Sequence, residues 1–343
     1  MIPASPPFSH NSRAPARARA PRWQQLWRDA ITEPRELLDV LGLGADADEL
    51  LAARDTGFAM RVPRGYVARM RHGDRHDPLL LQVLPGKPEL EAAVGFDDDA
   101  VGDLLARVAP GVLHKYEGRA LLVATGSCAI HCRYCFRRHF PYAEETAAGS
   151  RWQAALNYLA DDPTISEVIL SGGDPLSLST ARLAELGDGL VKIPHIIRLR
   201  IHTRLPVVLP ERIDDELTDW LAGLPLQRVV VIHANHANEL DEAVAAACLG
   251  LRVSGATVLN QSVLLRGIND HVEALARLSE RLFACHALPY YLHQLDRVRG
   301  AAHFEVDDSQ ARALHEALRR RLPGYLLPRL VRETAGAASK VPV

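Results

Sequence analysis

From Gly118 onward the chain alternates between short apolar runs and longer stretches with helical spacing. The apolar runs are rich in β-branched residues, which favour strands. They predict six strands, at 120–125, 167–171, 196–202, 228–234, 257–264 and 288–294. The stretches between and after them predict helices at about 151–160, 179–191, 213–222, 239–253, 271–284 and 308–321. Six βα repeats with short connections indicate an α/β fold, either a parallel barrel or an open arc of one.

The chain before these repeats has a different character. Residues 1–22 are rich in Pro, Ala, Ser and Arg, contain no acidic residue, and are predicted to form a disordered tail. Residues 23–110 are predicted to form a largely helical N-terminal cap, in which Leu37, Leu38 and Leu41 share one apolar face. No chemistry is predicted for this region.

Composition narrows the class of protein. The 343 residues are 48% hydrophobic and 24% charged, which is typical of a globular enzyme with a large core. The net charge of −2 gives no basic field for nucleic acid, so no nucleic-acid partner is expected. No apolar run is long enough to span a bilayer, and the N-terminus lacks a secretory signal. The chain contains five cysteines, an odd number, so disulfides are not expected. A cytoplasmic location is therefore expected.

The strongest chemical signal is a group of three cysteines directly after the first predicted strand. Cys128, Cys132 and Cys135 have the spacing C-x3-C-x2-C within one short loop. Three thiolates so close together suit an iron–sulfur cluster or zinc. A [4Fe–4S] cluster would have one iron without a protein ligand, whereas zinc would need a fourth ligand such as His131 or His139. A redox C-x-x-C motif is the third reading, and the spacing alone leaves all three open.

A glycine pair follows the second predicted strand. Gly172 and Gly173, with Asp174 next, lie at the same predicted end of the sheet as the cysteines. Glycines allow a backbone to approach a ligand closely, although the same pair also suits an ordinary turn.

Taken together, the cysteine spacing, Tyr134 before the last cysteine and the glycine pair resemble the radical S-adenosylmethionine (SAM) enzymes. This resemblance implies a [4Fe–4S] cluster on Cys128, Cys132 and Cys135, with SAM on the open iron and a reducing electron donor. It also implies a partial (β/α)6 TIM-like barrel, SAM contacts from Gly172, Gly173 and Asp174, and further SAM contacts from Asn235 and His236.

A more particular resemblance covers residues from about 32 to 340. Segments similar to lysine 2,3-aminomutase include 114–119, 135–140, 202–204, 235–239, 260–270 and 289–304. That family carries pyridoxal 5′-phosphate (PLP) on a lysine near its C-terminus, and the matching residue here is Lys340 in Gly-Ala-Ala-Ser-Lys-Val-Pro. The short length and the Arg-Arg-His-Phe-Pro-Tyr run most resemble the EpmB branch, which supplies (R)-β-lysine for modification of elongation factor P (EF-P).

The resemblance also implies roles at single positions. Lys115, where the family usually has arginine, Tyr116, Arg119 and Gln261 are expected to hold PLP. Arg137 is expected to bind the carboxylate of the substrate. Asp296 and Glu333, the latter an aspartate in longer family members, are expected to bind the ε-ammonium group of L-lysine.

The sequence therefore predicts a radical SAM core at 111–325, followed by a C-terminal segment at 326–343 that carries the PLP lysine. The implied activity is L-lysine 2,3-aminomutase, an isomerase, whose product would pass to the ligase that attaches β-lysine to EF-P. An aminomutase for another amino acid, a radical SAM enzyme without PLP, and a non-catalytic metal or redox module built on Cys132 and Cys135 are the alternatives.

Overall fold

The computed structural model describes residues 21–51, 59–142, 146–147 and 152–343. The predicted disordered tail lies outside these residues except for its last two positions. Within the part of the chain that is described, no helix combines the length and the apolar character needed to cross a membrane.

The N-terminal region is helical only in its first half. Its described residues, which exclude 52–58, form four short α-helices, α1 Arg22–Arg28, α2 Pro34–Val40, α3 Ala47–Leu50 and α4 Arg64–Val67. Beyond α4 the chain forms turns and single 3₁₀ turns, such as Lys87–Leu90 and Leu104–Ala106. Prolines in this second half cannot donate the backbone hydrogen bonds that a longer helix requires, so the prediction of a largely helical region is wrong there.

Among the described residues, ten strands form a single sheet in sequence order, from β1 to β10. Their bounds are β1 Arg107–Ala109, β2 Val112–Tyr116, β3 Arg119–Thr125, β4 Glu167–Gly172, β5 Arg198–Thr203, β6 Gln227–Ile232, β7 Thr257–Val263, β8 Leu288–His293, β9 Arg329–Arg332 and β10 Val341–Pro342. Strands β3 to β9 are all parallel, whereas β1 and β2 at one edge and β10 at the other pair antiparallel. Each edge strand pairs with one neighbour only in the described residues, so the barrel is partial.

Helices connect the parallel strands. They are α5 Gln153–Asp161, α6 Thr180–Leu190, α7 Leu205–Val208, α8 Asp215–Gly223, α9 Glu242–Val253, α10 Val272–Ala284 and α11 Asp308–Arg321. Several begin at a side chain that accepts a hydrogen bond from the first turn, which satisfies an otherwise free N–H group. These caps are Ser179, Asp214, Asp241, His271 and Asp307.

The predicted (β/α)6 pattern is confirmed. All six strands and six helices are present, and the largest error is three residues, at the start of α9. The four edge strands were not predicted, because β1 and β10 are very short and β2 and β9 carry charged residues.

Buried apolar and polar side chains alternate along the strands, so the two faces of the sheet differ in character. Leu170 and Ile201 are almost fully buried in the core that includes the connecting helices. Their neighbours Ser171 and His202 line internal cavities instead. Because successive side chains of a strand point to opposite faces, the barrel interior receives these polar residues.

The N-terminal region is joined to the barrel through a buried carboxylate. Glu89 accepts hydrogen bonds from Arg133 Nε at 2.6 Å and from Arg138 Nη2 at 2.9 Å. Both arginines belong to the segment that carries the cysteines, so Glu89 ties this segment to the N-terminal region.

Candidate active site

Two adjacent cavities lie where the parallel strands end. The first, of about 350 Å³, is lined by Lys340 and is called the lysine cavity. The second, of about 390 Å³, is lined by the three cysteines and is called the cysteine cavity. They share a wall, whose residues are Phe136, Arg137, Ser171, His202, Gln261, His293 and Asp296. The C-terminal ends of barrel strands are the usual place for an active site.

The cysteine loop follows β3 and is held by its backbone. Arg133 N–H donates to Gln82 O at 3.0 Å, and Cys135 N–H donates to Cys132 O at 3.1 Å. Cys128, Cys132 and Cys135 all line the cysteine cavity. Burial raises the pKa of Cys128, and it raises that of Cys135 to about 11, so metal binding would displace protons from these thiols.

Cys128, Cys132 and Cys135 together line the cysteine cavity, and soft thiolate ligands suit an iron–sulfur cluster or zinc. Among the described residues, no group of three or more His, Cys, Asp or Glu side chains forms a site for a single metal ion. His139, proposed as a fourth zinc ligand, contacts Arg299 O at 3.2 Å instead of the cavity.

Arg204 contacts a cysteine sulfur and was not predicted as a site residue. Its Nη1 donates to Cys132 Sγ at 2.6 Å, and its Nη2 donates to Glu239 and Gln82, each at 2.9 Å. The side chain is buried directly after β5. Its place at a strand end, within the family-like segment 202–204, could have pointed to it, whereas its partners are far away in the sequence.

The glycine pair packs against the start of the cysteine loop. Gly172 has a φ of +120°, and a Cβ atom there would lie 2.6 Å from Thr125 O. A Cβ atom on Gly173 would lie 2.5 Å from Ser127 O. Both glycines line the cysteine cavity, so the same geometry that demands glycine also exposes their backbone to a ligand.

The Asp174 side chain is fully engaged within the protein. Its oxygens accept hydrogen bonds from the Thr203 hydroxyl at 2.7 Å and from the N–H groups of Leu176, Arg204 and Leu205. Burial raises the pKa of this carboxyl to about 6. Asp174 lines the cysteine cavity, but its side chain joins the ends of β4 and β5. The side chain therefore does not support the predicted contact with SAM.

Asn235 and His236 are not among the side chains that line either cavity. The Asn235 amide accepts from Val263 N–H at 2.8 Å and donates to Gln82 at 3.0 Å. His236 Nδ1 accepts from Asn238 N–H at 3.2 Å, at the start of a 3₁₀ turn. The structure thus does not bring these two predicted SAM contacts to the site.

The lysine cavity contains the predicted PLP lysine and its acidic partner. Lys340 Nζ contacts Glu333 Oε2, and the Tyr116 hydroxyl donates to Glu333 Oε1 at 2.6 Å. Burial opposes ionisation of Glu333, but Lys340, Tyr116 and Lys115 outweigh it and hold the pKa of this carboxyl below its usual range. The antiparallel pair β9 and β10 carries Glu333 and Lys340 on its connection, which places both at the barrel mouth.

The other predicted PLP residues surround Tyr116. The Arg119 guanidinium lies 4.7 Å from the centre of the Tyr116 ring, and Gln261 lies on the shared wall. Lys115 Nζ is 2.6 Å from Asp103 Oδ1, donates to Val101 O at 2.7 Å and is 3.6 Å from Glu333. The charge of Lys115 therefore faces acids of the protein.

Arg137 is buried on the shared wall and has two polar partners. Its Nε donates to Asp103 Oδ2 at 2.6 Å, and its Nη1 donates to Ser171 Oγ at 2.8 Å. The guanidinium also lies 4.8 Å from the Phe136 ring. Asp103 was missed from the sequence, because it is one of several acids in a region without a recognisable motif.

One oxygen of Asp296 lacks a hydrogen-bond partner in the part of the chain that the structure describes. This atom, Oδ1, is buried, and the residue lies on the shared wall. Burial raises its pKa to about 7, more than the nearby Lys340 lowers it. A cation that enters here would meet an acid that the protein itself does not neutralise.

Three histidines near this acid are neutral. Burial lowers the pKa of His202 and His293 well below the usual value, and it lowers that of His233 to about 3. The uncharged rings leave Arg137 as the cation of the shared wall and Asp296 as its one acid.

Comparison with curated proteins finds close relatives along nearly the whole chain. The chain is 49% identical over 323 residues to L-lysine 2,3-aminomutase of Escherichia coli K12, covering 94% of each protein. It is 46% identical to the L-lysine 2,3-aminomutase of Haemophilus influenzae, covering 93% of this chain and 94% of the relative. Identity to the L-lysine 2,3-aminomutase of Clostridium subterminale is 34%, covering 94% of this chain and 77% of the relative.

Solved structures are more distant. A radical SAM methyltransferase from Sphaerobacter thermophilus is 18% identical, with a TM-score of 0.45 over 64% of this chain and 68% of that one. Coproporphyrinogen III oxidase from Escherichia coli, a radical SAM enzyme, is 13% identical, with a TM-score of 0.40 over 65% of this chain and 54% of that one. No family model matches the chain.

Proposed function

Since this chain belongs to the L-lysine 2,3-aminomutase family, a family of isomerases, we propose that it is a radical SAM and PLP-dependent L-lysine 2,3-aminomutase. The observation that supports this most is the shared wall. At this wall the cysteine cavity lies directly against the lysine cavity, which contains the amine of Lys340. The wall carries one cation, Arg137, and one acid, Asp296, and this pair suits an amino acid as substrate.

The cysteine cavity would hold the cluster and SAM. Cys128, Cys132 and Cys135 would be the ligands of the iron atoms, and the backbone of Gly172 and Gly173 would contact SAM. When bound, the cofactors would supply the radical chemistry, in which a hydrogen removed from Cβ of lysine is returned at Cα while the amino group migrates from Cα to Cβ. The protein orients the reactants and excludes water from them.

The lysine cavity would hold PLP through Lys340. Glu333 lies against this amine and Tyr116 fixes Glu333, so the amine is held at a defined place. Arg119 and Gln261 line the same cavity and would contact the cofactor. Because Lys115 is paired with Asp103, we assign it a weaker role in binding the phosphate than Arg119.

The charges of the cavity favour lysine as substrate. Arg137 would bind the α-carboxylate, for which a planar guanidinium is well suited. Asp296 and Glu333 would bind the ε-ammonium group of the side chain. These two acids disfavour glutamate, whose side chain carries the same charge as theirs.

We further propose that the product is (R)-β-lysine and that it serves the modification of EF-P in the cytoplasm. The support is the resemblance of the Arg137–Tyr142 region to the EpmB branch.

The test is an anaerobic assay of the reconstituted protein with SAM, PLP, a reductant and L-lysine, scored by chiral chromatography. We expect (R)-β-lysine, and we expect none from Lys340→Ala or from a variant that lacks the three cysteines. Zinc without iron and sulfide in the protein would contradict the proposal. Turnover of another amino acid in place of lysine would keep the chemistry and reject the substrate.

A further inference from the structure

We propose that Asp103 is a positioning residue that aims Arg137 at the carboxylate of the substrate. The inference rests on the proposed function and adds a residue of the N-terminal region to the binding site. Asp103 lies outside the barrel strands, in the 3₁₀ turn region before β1, yet its side chain reaches the lysine cavity.

The contacts of Asp103 join two cations of the site. One oxygen is 2.6 Å from Lys115 Nζ, and the other accepts from Arg137 Nε at 2.6 Å. The side chain is nearly inaccessible to solvent, with 3% exposed. Burial opposes ionisation, but Arg137 and Lys115 hold the pKa of Asp103 below its usual value. Asp103 is therefore a charged acid at the pH of a cell.

The geometry leaves one side of Arg137 available. Nε is bound by Asp103 and Nη1 by Ser171, and no partner of Nη2 is found in the described residues. A guanidinium has five N–H groups in a fixed plane, so fixing two nitrogens also fixes the direction of the third. Arg137 lines both cavities, and a carboxylate in the lysine cavity can use the remaining donors.

The loop that carries Asp103 is itself firmly held. Asp99 accepts hydrogen bonds from Asp103 N–H at 2.8 Å and from Leu104 N–H at 3.1 Å. Gly102 has a φ of +67°, and a Cβ atom there would lie 3.0 Å from Ala335 Cβ, in the segment that leads to Lys340. The carboxylate is thus placed by a loop packed between the barrel and the C-terminal segment.

Loss of the negative charge of Asp103 would selectively weaken the binding of ligands that carry a carboxylate. With Asp103→Asn, Lys115 and Arg137 keep their positive charges without the acid between them, and Arg137 Nε loses a charge-assisted bond. Arg137 would then adopt other orientations, and a ligand with a carboxylate would lose affinity. A ligand without a carboxylate would not be affected in this way.

The experiment measures the affinity of two ligands for the PLP-loaded protein without SAM. L-lysine and L-lysinamide, which lacks the carboxylate, are titrated while the absorption of the bound PLP is recorded. For Asp103→Asn we expect the dissociation constant of L-lysine to rise roughly 10- to 100-fold, as loss of one charge-assisted hydrogen bond predicts. We expect that of L-lysinamide to change by less than about threefold, since it lacks the group that this bond serves.

Two further variants complete the test. Asp98→Asn removes an exposed acid of the same segment, which is paired with Arg299, and both affinities should stay at the wild-type values. Asp103→Glu keeps the charge but displaces it by one methylene, and its affinity for L-lysine should lie between those of wild type and Asp103→Asn. If Asp103→Asn does not fold, a selective loss of L-lysine in Asp103→Glu supports the inference.

Equal weakening of both ligands, or no change for either in a folded Asp103 variant, would overturn the inference. In that case the wild-type protein still responds to L-lysine, and the proposed function stands. If the wild-type protein itself shows no response to L-lysine, the proposed function fails and the inference fails with it.

Discussion

At the scale of single residues, Asp296 combines the lack of a partner with a raised pKa. The group binds its proton more tightly in the folded protein than in the unfolded chain, so ionisation costs stability as the pH rises from 3.8 towards about 7. A bound ammonium group would remove this cost, because it favours the ionised form of Asp296.

This predicts that L-lysine binds more weakly as the pH falls below about 7. Where Asp296 is mostly protonated, affinity should fall by up to about tenfold per pH unit, since one proton competes with the ligand. The measurement is a titration of the PLP-loaded protein with L-lysine between about pH 5.5 and 8, a range chosen to bracket this ionisation.

Asp296→Asn is the matched control for this pH profile. It should bind L-lysine weakly at every pH. Its affinity should also lack the rise with pH that ionisation of Asp296 causes in the wild type up to about pH 7. Persistence of the wild-type profile in this variant would assign the pH dependence to another group.

Arg204 gives a second prediction at this scale. A cationic donor on a ligand sulfur stabilises the reduced, more negative cluster, so Arg204→Gln should lower the reduction potential. We expect a shift on the order of tens of millivolts, because hydrogen bonds to sulfur are one of several factors that set the potential. A potentiometric titration followed by electron paramagnetic resonance measures it, and an unchanged potential would contradict the role.

Arg204→Lys is the control, since it keeps the positive charge next to Glu239. Its potential should stay nearer to that of the wild type.

At the scale of elements, the cysteine loop depends on close contact with the end of β4. Gly173→Ala would place a methyl group 2.5 Å from Ser127 O, so the loop must move. We expect a loss of about 1–3 kcal/mol in the free energy of unfolding, as overpacking gives, together with reduced iron content after reconstitution. Iron analysis and denaturant unfolding measure the two effects.

Gly223→Ala is the matched substitution at the end of α8, where nothing lies within 4 Å of the added Cβ atom. It should leave both iron content and stability nearly unchanged. Equal effects of the two substitutions would mean that the contact with Ser127 is not what restricts Gly173.

The elements also show what the sequence can and cannot predict. The βα repeats were predicted well because each parallel strand is an apolar run between helical stretches, and buried strands require such runs. Edge strand β10 was missed because two residues cannot show a period. In the site, the cysteines were proposed from their spacing and Lys340 from the resemblance to lysine 2,3-aminomutase, and both assignments stay predictions.

Asp103 and Arg204 were missed because their roles come from tertiary contacts. In the sequence, Asp103 lies 34 residues from its partner Arg137, and Arg204 lies 72 residues from its partner Cys132. For Asn235 the resemblance implied a contact with SAM, which stays a prediction, and the structure shows its side chain hydrogen-bonded to Gln82 and to the backbone of Val263.

At the scale of the whole molecule, Glu89 joins the N-terminal region to the barrel. Its side chain is completely inaccessible and pairs with both Arg133 and Arg138. Glu89→Gln would leave two buried cations without their acid, and breaking a buried pair in this way costs about 3–5 kcal/mol. Denaturant unfolding should show this loss, and the cysteine segment should lose iron with it.

Asp98→Asn serves as the comparison, since the pair of Asp98 with Arg299 is exposed on both sides. Its cost should be less than about 1 kcal/mol. Similar costs for the two variants would contradict a special role for the buried pair.

The place of Lys340 has a consequence for how the proposed PLP would be acquired. Lys340 immediately precedes β10, a two-residue strand at the edge of the sheet that, within the described part of the chain, pairs only with β9. Strands held by so few hydrogen bonds open locally at low cost, and their amide protons exchange quickly with solvent. A covalent bond from Lys340 to a cofactor inside the barrel would anchor this edge, so amide exchange at the C-terminus would slow as the cofactor loads.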